Sequence, residues 1–141
     1  MANLSNYTES LIATWLAGGA APSTLPTTLY LDLYSTPPNA ETGTGGTSIC
    51  SALTGVARLS LNNTSNAYFY SEQNNNFVKN NEILITQSAL ATVSNITGFA
   101  IWTQIQGGNM LYSGSIQDSP KTITIGQSAR FAQNAMVLTI D

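Results

Sequence analysis

The chain has 141 residues, of which 43% are hydrophobic and only 8% charged, with a net charge of −3 and no histidine. That length and composition fit one domain with a packed core and exclude global disorder. The basic residues, Arg58, Lys79, Lys121 and Arg130, are scattered. Phosphate binding needs them clustered, and no basic amphipathic segment offers itself to a membrane surface, so neither nucleic acid nor membrane is an expected partner.

An ordinary soluble domain is about 25% charged. Here Ser, Thr and Asn supply the polar side. Hydroxyls and amides cost less to desolvate than Lys or Glu, so such a surface suits a protein held against neighbours.

The first predicted element is an N-terminal helix. Asn6 is placed to cap it, with Glu9 three residues on at the capping-box position. Tyr7, Leu11, Ile12 and Trp15 recur at helical spacing, and Gly18 and Gly19 end the run. This face either packs on the chain's own sheet or docks on a partner. The segment has no Lys or Arg before its apolar run, so it is not a secretory signal, and a cytoplasmic origin without export is expected.

After a connector with two prolines, "APSTLPTT", everything reads as strands. Residues 28–35 place Leu29, Leu31 and Leu33 on one face and Tyr30, Asp32 and Tyr34 on the other. Two prolines then stop the ladder, and 36–55 reads as a long, soft loop able to mould itself to a neighbour. Residues 56–62 and 67–71 are further strands, followed by an Asn-rich, adaptable stretch at 72–81. Residues 82–87 and 95–103 come next, the second apolar almost throughout as in a central strand, with Gly98 marking a bulge or a close backbone approach. "QGGN" at 106–109 predicts a hairpin into 110–116. Residues 121–125 and 136–140 complete the set. The predicted fold is mostly β, an antiparallel sandwich or jelly roll with one N-terminal helix. It forms a single domain over 1–141, with a helical arm at 1–19 and the sandwich at 20–141.

No chemistry is legible. Without histidine, neither a Ser-His-Asp nor a Cys-His site can be built, and the single Cys50 leaves no zinc site and no internal disulfide. Cys50 sits among small residues in "TSICSAL" and reads as a buried small hydrophobe. Asp32, Glu41, Glu72, Glu82 and Asp118 share no spacing that would make a catalytic pair or a calcium loop. Asp32 is expected to face solvent beside Tyr30 and Tyr34, or to pair with Arg58 or Arg130. The tyrosines and Trp102 could form a sugar-stacking platform, though core and interface packing explains them as well. The sequon at 62–64 reads as an accident of composition. No enzyme activity, catalytic residue, metal or cofactor is expected.

Four phrases carry a resemblance. "TLYLDLYSTPPNAETGTGG" is similar to a "TLYLALHTADP…E…G" opening. "GVARLSL" stands where a Gly-Tyr-Ala-Arg-Val phrase is found. "ITGFAIWTQIQGGNMLYSGSI" resembles an "hFgIyda…GGnlLfyGal" hairpin, and "PKTITIGQSARFAQNAMVLTID" a "pktv..Gdt.rfaaGaltvtld" ending. In order and spacing they resemble a family of short virion proteins of tailed bacteriophages, described as tail-fibre-like, minor tail, or capsid decoration (cement) proteins. Two positions depart from it: Tyr34 stands where His is common, and Asn134 where Gly is common.

The resemblance implies a virion structural protein without catalytic residues. A compact domain without fibre repeats or heptads is expected as a capsid decoration protein, a homotrimer on the major capsid protein that stabilises the head by mass action. A tail component, fibre or minor tail protein, is the alternative. A carbohydrate-binding module for host attachment is the third reading.

Overall fold

A computed structural model describes residues 2–23, 26–62, 68–71, 77–80, 83–116, 118–132 and 137–139. Among the expected features, Glu72, Glu82, Asn134, the start of the Asn-rich stretch at 72–76 and most of the sequon lie outside the described residues.

The protein is mostly β, as predicted. In chain order the elements are β1 (Ala2–Leu4), α1 (Asn6–Leu16), β2 (Thr28–Thr36), β3 (Thr47–Ser48), α2 (Cys50–Thr54), β4 (Leu59–Asn62), β5 (Tyr68–Ser71), β6 (Phe77–Asn80), β7 (Ile83–Ser88), β8 (Val93–Ile96), β9 (Gly98–Trp102), β10 (Met110–Ser115), β11 (Lys121–Ile123), β12 (Ser128–Phe131) and β13 (Val137–Thr139). A nine-stranded sheet runs β3-β2-β9-β10-β1-β13-β6-β5, with β4 also paired to β2. Two small sheets, β11-β8 and β12-β7, complete the second layer.

β2 is the hub. One edge pairs antiparallel with β9, from Tyr30↔Trp102 to Tyr34↔Gly98. The other edge is shared by β4 over Thr28–Leu31 and β3 over Tyr34–Thr36. Its alternation does what period two demands: Leu29, Leu31 and Leu33 enter the core with Leu59, Leu61, Phe99, Ile101 and Leu111, against Ile96, Ala89 and Ala129 of the second layer. Burying one such leucine contributes about 1.5–3 kcal/mol.

Three departures from the sequence reading have local causes. The predicted strand 95–103 is two strands. Asn95 takes a left-handed φ of 61°, and Thr97 turns the chain, its N–H donating to Tyr34 O and its hydroxyl to Ser35 O, both at 2.8 Å. β8 thereby leaves the large sheet and pairs with β11. Gly98, just after the turn, does mark a close approach: a Cβ there would lie 2.3 Å from Pro37 Cγ and 3.0 Å from Gly114 O.

The 36–55 loop is not soft. Asn39 Oδ1 accepts from the N–H groups of Glu41 (2.9 Å) and Thr42 (3.1 Å), and its backbone bonds Thr44 O and Gly43 N. Residues 47–55 then form β3 and α2, which delivers Cys50 and Leu53 to the core and ends at Gly55, φ 78°.

The N-terminal arm is not separable. Ala2–Leu4 is a strand between β10 and β13, antiparallel to the first and parallel to the second. The sheet is therefore not wholly antiparallel, and a boundary at residue 19 would cut through it. The helix follows directly, capped by Ser5 rather than Asn6: its Oγ accepts from Thr8 N at 3.3 Å. The end is a Schellman motif, with Gly18 N bonded to Trp15 O and Gly19 N to Thr14 O. Gly18 supplies the φ of 86° this motif requires.

Candidate functional site

Two features stand out: a buried polar cluster on the second face of the large sheet, and the exposed apolar end of α1.

The cluster follows from β2's even positions. Asp32 and Tyr34 share a face with Ala100 and Trp102 of β9 and Met110 of β10. A sandwich normally leaves this face wet. Here Asp32 is 3% and Tyr34 4% exposed. The cover is the 37–46 loop. Gly43 packs so closely that a Cβ would sit 3.1 Å from the Trp102 ring and 3.3 Å from Met110 Cβ. Gly46 backs onto the Tyr34 ring in the same way. Gly43 also has a left-handed φ of 70°, so only glycine meets both conditions.

A buried carboxylate needs partners. Arg58 enters from the residue before β4, its Nε 3.6 Å from Asp32 Oδ2. Ser48 Oγ donates to Asp32 Oδ1 at 2.5 Å. The guanidinium lies over Trp102, 3.8 Å from Cζ to the ring centroid, and Nη1 donates to Gln104 O (2.6 Å) and Gly107 O (2.7 Å). One arginine thus ties β2, Trp102 and the β9–β10 turn together. Burial first, then the Asp32 carboxylate, pushes the Tyr34 hydroxyl above its ordinary range. The Trp102 indole nitrogen is buried without a hydrogen bond of ordinary geometry, though its N–H weakly opposes that shift. Cys50 lies on the core side, its Sγ accepting from Leu33 N at 3.2 Å. Burial, then Asp32, pushes its thiol up to about 12, so it is an inert small hydrophobe, as expected.

Asp32 therefore pairs with Arg58, one of its two expected partners, and does not face solvent. Saturated and covered, it has no room for a substrate. Glu41 and Asp118 are exposed and elsewhere. Among the described residues no group of three or more His, Cys, Asp or Glu could hold a metal ion. The aromatic platform is not at the surface either: Tyr34 and Trp102 are covered and Tyr30 packs against them.

The α1 surface is the opposite case. None of its residues is buried. Polar bonds hold its first turn: Ser5 Oγ donates to Met110 O, Thr8 Oγ1 to Leu111 O at 2.8 Å, and Asn6 N to Glu41 O at 3.0 Å. Tyr7, Trp15 and Leu16 are 38%, 53% and 74% exposed. The helical spacing pointed to Tyr7 and Trp15. It missed Leu16, because the exposure of the last turn depends on where the sheet stops beneath it. No described helix is long and apolar enough to cross a membrane.

No curated protein matches the chain. A family model described as podophage GP4 fiber I protein gp80 matches residues 3–139, from β1 to the end of β13. With almost its whole length matched, the chain belongs to this family of phage fibre proteins and is a structural protein of a bacteriophage virion.

Proposed function

We propose that the protein is a component of the phage fibre apparatus, contributing a rigid β scaffold and an adhesive helix rather than catalysis. The observation that carries this is the fibre-family match across residues 3–139. It favours the tail alternative over the capsid decoration role expected from size and the lack of repeats. The low charge and the apolar end of α1 suit a subunit that buries much of its outside against other virion proteins and further copies of itself, in a homotrimer. The covered state of Tyr34 and Trp102 removes the motive for the sugar-stacking reading.

Particles depleted of the protein should release DNA at the normal temperature but adsorb poorly to host cells, and gold-labelled antibody should mark fibres. Copy number by quantitative mass spectrometry should match a fibre and not a shell. Early heat release with normal adsorption would overturn the proposal in favour of the capsid reading.

A further inference from the structure

Two apolar features of this chain are complementary and lie on different surfaces. The first is the tip of α1. The helix is fastened at Thr8, beside the start of β10. Trp15 lies seven residues on, about 10 Å further at 1.5 Å per residue, and it and Leu16 are exposed. The second is a cavity of about 600 Å³ between the large sheet and the second layer. Phe99, Ile116, Ile123 and Phe131 form its walls, and Lys121 and Arg130 stand at its edge. It opens where β9 begins and β10 ends. No residue of α1 lines it.

We propose that the Trp15–Leu16 tip of one copy docks in this cavity of a second copy. The apolar tip meets apolar walls of a size that admits several side chains. Charge agrees: the acidic residue of α1 is Glu9, with no base in its last turn, while two of the chain's four basic residues border the cavity. Glu9 lies about two turns from the tip, within reach of a long Lys side chain at the mouth. Because tip and cavity are different surfaces, the contact is heterologous. It closes into a ring or propagates as a filament, and a three-membered ring satisfies every tip and every cavity. The contact does not depend on where in the virion the protein sits.

The test is sedimentation velocity on the full chain over a concentration series. Wild type should assemble beyond a dimer. Trp15→Asp with Leu16→Asp, both on exposed positions, should raise the apparent Kd by about 30-fold or more while leaving the far-UV circular-dichroism spectrum unchanged. Ser128→Trp, at the exposed mouth, should do the same from the other side. A mixture of the tip and mouth variants should form a heterodimer and nothing larger, since each keeps one working half. Should Ser128→Trp misfold, the exchange Glu9→Lys with Lys121→Glu serves: each alone weakens assembly, and together they restore it. A monomeric wild type, a tip variant that assembles like wild type, or a mixture that stays monomeric would overturn the proposal.

Discussion

Arg58 should be among the most sensitive positions of the fold, and the structure sets the size of the effect. Arg58→Ala leaves Asp32 at 3% exposure with Ser48 as its remaining donor. Removing one partner of a buried ion pair costs about 3–5 kcal/mol, chiefly because the other charge stays buried. Losing the guanidinium from the Trp102 face adds about 0.5–2 kcal/mol. The carbonyls of Gln104 and Gly107 belong to exposed residues and regain water, so they add little. Arg58→Ala is thus expected to cost about 3.5–7 kcal/mol, a large share of the roughly 5–15 kcal/mol that holds a domain folded. Asp32→Ala should cost less, about 2–3 kcal/mol, because Arg58 keeps its carbonyl bonds and its ring, and its side chain is still 11% exposed. Urea denaturation of the two single variants and the double gives the coupling, expected at about 2 kcal/mol. A coupling below about 0.5 kcal/mol, the value of a solvent-exposed pair, would refute the claim that this pair is desolvated.

Other outcomes follow from the same geometry. Gly98→Ala should lose about 1–3 kcal/mol from overpacking, and Pro37→Ala should recover part of it, since a Pro37 ring carbon is the nearest obstacle; a neutral Gly98→Ala by thermal melt would contradict the close approach. Cys50 should resist thiol reagents at pH 8 until the protein unfolds. The unfolded thiol loses its proton near 9 and the folded one only at about 12, so stability should fall as pH rises through that window. Cys50→Ala should flatten this slope, and an unchanged slope in a pH-dependent urea series would count against it. Deleting residues 1–17 should abolish cooperative unfolding, because β1 bridges β10 and β13. Trp15→Asp alone should shift stability by no more than about 0.5 kcal/mol; a truncated chain that melts like the full one would show β1 to be dispensable.

What the residues determine locally is legible in the sequence. The leucines of 28–35, the glycine-rich hairpin and the helix with its Gly-Gly stop are set by period, turn chemistry and capping within a few neighbours. The absence of histidine and the low charge are compositional, and the order of the strand phrases was enough to point to phage virion proteins. Contacts between residues distant in sequence are not legible this way. Asp32 reads as solvent-facing from alternation alone, and it is buried where Arg58 and Ser48 close on it, beside the loop that covers Tyr34 and Trp102. The 47–55 segment reads as loop because its apolar residues, Ile49, Cys50 and Leu53, are too few to show a period; the hydrophobic core, not propensity, makes it a helix. β1 has three residues, too short for any pattern, and exists because β10 and β13 lie on either side of it. Local rules set each element within a few residues. Which face is covered, which short segment becomes a strand and which helix end is left bare depend on free energy gained across the fold, where loop closure brings together groups as far apart as Asn6 and Glu41 or Arg58 and Gly107.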